Sequence, residues 1–362
     1  MGRDLTRRDF AGLMAALGCA GAFGGSTEVQ DGSVRAVLLH LGQNMWGEYR
    51  EPGEEKMPGL QYTADHLRTD EAVWRALTER MRTRRFNMAV IDIGEGLVYP
   101  SHPELAVKGS WSAEKLAAEV KRLKGMGIEA VPKLNFSTCH DGWLKEYGRM
   151  ISTAKYRDVV KDLIDDVCEV FGNPRLFHLG LDEECSWLQS RHSVLIVRRG
   201  GAFWQDFNHY LKCLDRHGAR PIAFGPSHED REKWTEEFYR RASRETIISN
   251  AIYGHGLVYD TLPVWKKRAW DSFEAADKAG FTQLPCASNW VSKENVPKPW
   301  PTGKDYPQDP EAIGWFVKFC RERIDPSRLM GFMAAPWGEI NSALQFYWEN
   351  AIDQLADATK GE

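Results

Sequence analysis

Three consecutive carboxylates, Asp182, Glu183 and Glu184, follow the run Phe177-His178-Leu179-Gly180-Leu181. Phe177, Leu179 and Leu181 alternate with His178, Gly180 and Asp182, the two-residue period of a strand. Acids at the end of an apolar strand are costly to desolvate unless they face water, a ligand or an opposing charge. In a barrel of parallel strands that position belongs to catalytic groups. The alternative is a helix N-terminus, where acids suit the dipole. A carboxylic acid placed at a barrel mouth can protonate a glycosidic oxygen.

The same kinds of side chain recur at the ends of the other apolar segments. His40, Gln43 and Asn44 follow the first, Asp92 and Glu95 the second, and Asn135, His140 and Asp141 the third. His228, Asn250, Tyr253, Asn289, Trp290, Trp337 and Glu339 follow the later ones. Amides and carboxylates hydrogen-bond hydroxyls, and indole faces stack on the C–H surfaces of sugar rings. The 14 Trp of the chain supply such platforms, although Trp is also ordinary core material. The set suits a polyol, with Asp92, Glu95, Asn135, His140, Asp141, Glu184, Tyr253, Asn289, Trp290, Trp337 and Glu339 as its expected contacts. The sequence has no serine elbow, no nucleophilic-cysteine context and no His-rich metal set, so neither cofactor nor metal is expected. His178 reads as an interior barrel-layer residue.

These residues need elements that carry them to one place. Apolar strand patterns occupy 35–42, 88–93, 130–136, 177–182, 220–224, 246–252, 284–290 and 329–335. Helical periodicity fills the intervals at 70–85, 112–126, 153–171, 201–217, 229–241, 268–279, 310–323 and 342–358. Asp70 and Ser112 stand where N-caps belong. Eight strands, each followed by a helix, predict an α/β fold, a single (β/α)8 TIM barrel over residues 34–362. An open doubly wound sheet is the alternative, but no Gly-rich phosphate turn follows any strand.

With the elements in place, three stretches resemble the family 20 glycoside hydrolases, the β-N-acetylhexosaminidases. That family's acid strand ends His-x-Gly-Gly-Asp-Glu; here it reads His178-Leu179-Gly180-Leu181-Asp182-Glu183. Phe86-Asn87-Met88 and the later His102-Pro103-Glu104-Leu105 to Gly109-Ser110-Trp111-Ser112 look like the family's Met-Asn strand and its Tyr-Pro-Glu-Leu loop. Pro336-Trp337-Gly338-Glu339 is similar to its terminal Trp-x-Glu. The resemblance implies Glu183 as catalytic acid/base and Asp182 as the residue that orients the substrate's 2-acetamido group. It implies at Trp337 a stacking face and at Glu339 a partner for outer hydroxyls. Leu181 departs from the family by replacing a glycine. Strand three ends Lys133-Leu134-Asn135 without the family's acidic, Pro-Gly-His ending, and strand one shows no clear counterpart of its sugar-binding Arg. The small α+β domain that precedes the family's barrel has no counterpart either.

Strand seven ends Ser288-Asn289-Trp290 without an acid, where many retaining barrel glycosidases place a nucleophile. Three readings stay open: substrate assistance, an inverting pair with Asp92, Glu95, Asp141 or Glu339 as base, or no hydrolysis. The expected function is a β-N-acetylhexosaminidase-like glycoside hydrolase, retaining by substrate-assisted catalysis. Its competitors are a non-hydrolytic carbohydrate-binding barrel and a metal-dependent sugar isomerase or lyase using Asp92, His140, Asp182 and Glu184.

Composition and the N-terminus complete the reading. At 362 residues and a formal net charge of -4 the chain has no basic footprint for nucleic acid, and its expected partner is a carbohydrate. Thr6-Arg7-Arg8-Asp9-Phe10 precedes a short run rich in Ala and Gly, too short and small-residued to span a membrane. It resembles a bacterial twin-arginine signal over residues 1–22, followed by a linker at 23–33, and predicts a periplasmic or extracellular protein. Membrane attachment would require lipidation of Cys19. Seven cysteines include no Cys-x-x-Cys pair, so a thiolate zinc site is unsupported, and their spacing fixes no pairing.

Overall fold

The computed structural model describes residues 34–48, 62–189, 192–226, 234–291 and 301–360. The expected signal, the linker and His228 lie outside the described residues. Among the described residues there are eight strands: β1 Val34–His40, β2 Met88–Asp92, β3 Glu129–Lys133, β4 Leu176–His178, β5 Arg220–Ala223, β6 Ile247–Ile248, β7 Cys286–Ala287 and β8 Gly331–Ala334. All pair in parallel, in the order β6-β5-β4-β3-β2-β1-β8-β7. Parallel bridges Ile248↔Gln283 and Ala251↔Cys286 join β6 to β7 and close the sheet into a (β/α)8 barrel.

Each strand feeds a helix: α1 Glu71–Thr83, α2 Ala113–Gly125, α3 Ala154–Val170, α4 Gly201–Asp215, α5 Trp234–Arg241, α6 Val264–Lys278, α7 Ala312–Arg321 and α8 Gln345–Ala358. The first three start on side-chain caps. Asp70 accepts from the Ala72 and Val73 N–H groups, Ser112 from Lys115, and Thr153 from Tyr156. Such caps satisfy N–H groups that have no intrahelical partner. Helix α6 begins at Val264 rather than at Arg268, because Pro263 supplies an extended entry and its carbonyl takes the Lys266 and Lys267 N–H groups. Its charged first turn hides the apolar period that Ala269, Phe273 and Ala276 carry into the core.

The strand alternation builds two cores. Ala36, Leu38, Val90, Val131, Ile222 and Met333 point into the barrel. Val37, Leu39, Ala89, Ile91, Phe177 and Ala223 point outward against the helices, where they meet Trp74, Leu77, Leu163 and Phe207. Extending the same parity along the chain turns Asn135, Asp182, Tyr253 and Trp337 toward the interior at the C-terminal end. It turns Asn250 and Asn289 outward.

Candidate active site

The floor of the mouth is a sealed polar layer. The Lys133 ammonium donates to Asp92, and both side chains are almost fully buried. His40 Nδ1 stands 3.5 Å from Asp92 Oδ2. Burial alone would raise the Asp92 carboxyl; the Lys133 charge and the nearby His40 ring outweigh it and hold the pKa below its ordinary value. Burial depresses His40 and, with the repulsion of Lys133, carries His178 well below the ordinary imidazole range. His178 Nδ1 accepts the Gly180 N–H at 3.0 Å. Asp92, expected at the substrate, is thus committed to the layer beneath it.

Above this layer the chain leaves β4 through a turn that re-aims its acids. Gly180, Leu181 and Glu183 have φ of 69, 67 and 58°, a backbone region that side chains other than glycine seldom adopt. A Cβ on Gly180 would lie 2.1 Å from Asn135 Oδ1, so only glycine lets the Asn135 amide reach this loop. That oxygen accepts from the Leu181 and Ser137 N–H groups at 3.3 and 3.1 Å. Asn135 Nδ2 donates to Asp182 Oδ1 at 2.9 Å.

The turn brings neighbours that a straight strand would separate onto one side. His140 Nε2 lies 2.9 Å from Glu183 Oε2 and 3.3 Å from Asp182 Oδ2. The carboxylates are 28% and 19% exposed, while His140 is buried. Burial would lower the His140 pKa; the Asp182 charge and the Glu183 bond overcome it and raise the pKa above the ordinary value. One nitrogen from His140 and one oxygen from each acid lie within 4.8 Å of one another, a set that is sterically able to hold a metal ion.

Aromatic rings wall this cluster. The Trp337 ring is 5.4 Å from His40, 6.2 Å from Trp46 and 6.5 Å from Tyr253, and its Nε1 donates to the Tyr253 hydroxyl at 2.9 Å. Trp46 meets His140 edge-on at 5.9 Å, and Trp290 lies 6.2 Å from Tyr253. Burial, with the nearby Cys286, Glu183 and Asp182, carries the Tyr253 phenol well above its ordinary pKa, so it stays a neutral donor.

Arg68 is the residue that the sequence reading missed. Its Nη1 is 3.6 Å from Glu339 Oε1, its Nη2 donates to Asn44 Oδ1 at 3.2 Å, and its side chain is 5% exposed. Nε and Nη1 have no hydrogen-bond partner among the described residues, and burial lowers the pKa. The sequence signal was an arginine two residues before the α1 cap Asp70.

Four expected contacts turn elsewhere. Glu95 accepts the Gln43 N–H at 2.7 Å and the Asn44 N–H at 3.0 Å, stapling the β1 loop, and burial raises its pKa despite those bonds. Asp141 lies 3.3 Å from His192 Nε2, and burial raises its pKa too. Glu184 forms a buried ion pair with Arg198 and accepts the Thr138 N–H at 3.2 Å. Asn289 Nδ2 donates to the Tyr347 carbonyl at 3.0 Å, behind the barrel wall.

No family model matches this sequence, and no curated protein matches it. Solved structures do. The fold is similar to that of a GH20 β-N-acetylhexosaminidase from Streptomyces coelicolor, with TM-score 0.55 and 11% identity over 90% of this chain and 64% of that one. A mutant Streptomyces plicatus β-hexosaminidase in complex with its product GlcNAc gives TM-score 0.60 and 11% identity over 90% of this chain and 63% of that one. Dispersin B gives TM-score 0.53 and 16% identity, with coverage of 82% and 97%. The chain therefore spans under two thirds of the length of the two Streptomyces proteins. What this likeness shows is the barrel itself: the chain has the fold of the GH20 structures.

Proposed function

We propose that this protein is a glycoside hydrolase that cleaves β-linked N-acetylhexosaminides with retention, through substrate assistance. The observation that carries the reading is the turn after β4, which sets two adjacent carboxylates of different surroundings on one imidazole at an aromatic mouth. Asp182, oriented by the Asn135 amide, accepts the acetamide N–H of the substrate. The acetamide oxygen then attacks the anomeric carbon as Glu183 gives its proton to the leaving oxygen. Water next attacks the cyclised intermediate and loses its proton to Glu183. The His140 imidazole lies within hydrogen-bond distance of that carboxylate, at 2.9 Å. Trp337 and Trp46 stack on the sugar, and Arg68 with Glu339 receives its outer hydroxyls.

A panel of chromogenic β-glycosides, with Glu183→Gln as control, tests this reading. Turnover confined to 2-acetamido sugars, inhibition by a thiazoline and a β product at the first time points are the expected results. Equal cleavage of sugars lacking the acetamide, or an inverted product, overturns it. A second reading has its own observation: the compact His140, Asp182 and Glu183 set suits a divalent ion. Loss of activity on chelation and its return with added metal would select a metal-dependent sugar isomerase or lyase. Tight sugar binding without turnover would select a carbohydrate-binding barrel.

A further inference from the structure

The loops after β3 and β4 meet beneath the carboxylates, residue against residue. Asn135 Nδ2 bonds to Asp182, the Ser137 hydroxyl donates to the Asp182 carbonyl, Thr138 donates to Glu184, and His140 meets Glu183. Within this series Cys139 faces Cys185. The Cys139 thiol donates to the Cys185 carbonyl at 2.8 Å, and the Cys185 N–H reaches Cys139 Sγ at 3.4 Å. Both residues are 1% exposed. Both are free thiols in this structure.

We propose that Cys139 and Cys185 become joined by a disulfide, a covalent clamp that positions His140 and Glu183. Cys139 immediately precedes His140, and Cys185 stands two residues after Glu183. The Cys185 N–H also donates to the Glu183 carbonyl at 2.6 Å, closing the turn in which Glu183 has φ 58°. A left-handed glutamate persists only when its surroundings hold it. Hydrogen bonds supply that restraint while the thiols are reduced; a bond between the loops makes it permanent.

The chemistry needs a disulfide oxidant, either glutathione disulfide or a disulfide-donating oxidoreductase. One cysteine thiolate attacks a sulfur of the oxidant and releases one thiol. The second cysteine attacks the mixed disulfide and releases the other. The protein gives up two protons and two electrons, and the oxidant leaves as two thiols. Both thiols are buried in the closed barrel, so the bond forms when these two loops open and admit the oxidant.

The test uses the full chain, refolded with glutathione disulfide, denatured in iodoacetamide without reductant, digested and weighed. The expected result is one linked peptide pair carrying Cys139 and Cys185, lost on reduction, with Cys19, Cys168, Cys213, Cys286 and Cys320 alkylated. Alkylation of both Cys139 and Cys185, or a Cys168–Cys213 link in their place, overturns the proposal. Under the proposed glycosidase reading, the fully reduced protein and the Cys139→Ser/Cys185→Ser protein should lose about tenfold or more in kcat with little change in KM. Reductant should not affect the double variant further. Equal kcat before and after reduction of the link removes the positioning role. The linked peptide does not depend on the glycosidase reading, so a clamped protein inactive on every glycoside would sink that reading and keep this bond.

Discussion

Asp182 and Glu183 are neighbours in the chain, yet their partners assign them different work. Asp182 is held by a neutral amide donor and by His140, whereas Glu183 meets the imidazole at the shorter distance of 2.9 Å. On the proposed mechanism Asp182→Asn removes the acceptor for the acetamide N–H and should lower kcat by about 10²–10³, as read from steady-state rates on an N-acetyl glycoside. An undiminished kcat would detach Asp182 from the reaction. A second residue-scale expectation concerns acid stability. His40 and His178 have folded-state pKa values below the ordinary 6.5, so the unfolded chain binds protons that the folded one refuses. The stability they support is present above pH 6.5 and is lost as pH falls from there toward their folded values. His140 works in the opposite sense: its raised pKa favours the folded state below 6.5, and that gain fades as pH rises through the folded value. Replacing His178 with Gln should flatten the acid limb of a plot of melting temperature against pH. An unchanged limb would show that other groups set it.

The two-residue period carries much of the site at the scale of elements. Phe177, Leu179 and Leu181 lie in the outer core, and extending their parity places Asp182 inward; the same count places Asn135, Tyr253 and Trp337. The sequence therefore disclosed the strands, the helices and one inward set of residues. Parity settles only these four; for the other residues beyond the strand ends, side-chain direction depends on partners far away in the chain. Glu184 finds Arg198, Asp141 finds His192, and Asn289 finds Tyr347; strand-end position alone gives no sign of any of these. Nor do Leu181 and Glu183 advertise a left-handed backbone as glycine or asparagine would. The β2–β3 pair shows what register contributes: Asp92 opposes Lys133, which places the acid and the ammonium side by side inside the barrel. Lys133→Met would strand a buried carboxylate and should cost about 3–5 kcal/mol of folding stability. Removing both charges, with Asp92→Leu added, should recover most of that loss in urea denaturation. If the double variant is no more stable than the single one, the pair does not hold the floor together.

At the scale of the whole molecule, β1 occupies a position that bears on the N-terminal segment. Val34–His40 pairs with β2 on one side and with β8 on the other, and Val34 N–H already bonds to the Met330 carbonyl. Both edges of β1 are thus taken, by β2 and by β8, and cleavage ahead of Val34 leaves these pairings in place. We propose that the Arg7-Arg8 segment directs export and is cleaved near Phe23, as its twin-arginine pattern implies. The substitution Arg7→Lys with Arg8→Lys keeps the positive charge and removes only the guanidinium pair. In a bacterial host, fractionation should then find the uncleaved precursor retained in the cytoplasm, whereas the parent appears outside it and shortened by about 22 residues. With the cysteines reduced in both, the exported form should melt at the same temperature as the retained precursor, because the two share the strand pairings of the barrel. Export of the double-lysine protein at the parental level would sink the twin-arginine assignment, and a lower melting temperature for the shortened form would show that the leader packs on the barrel.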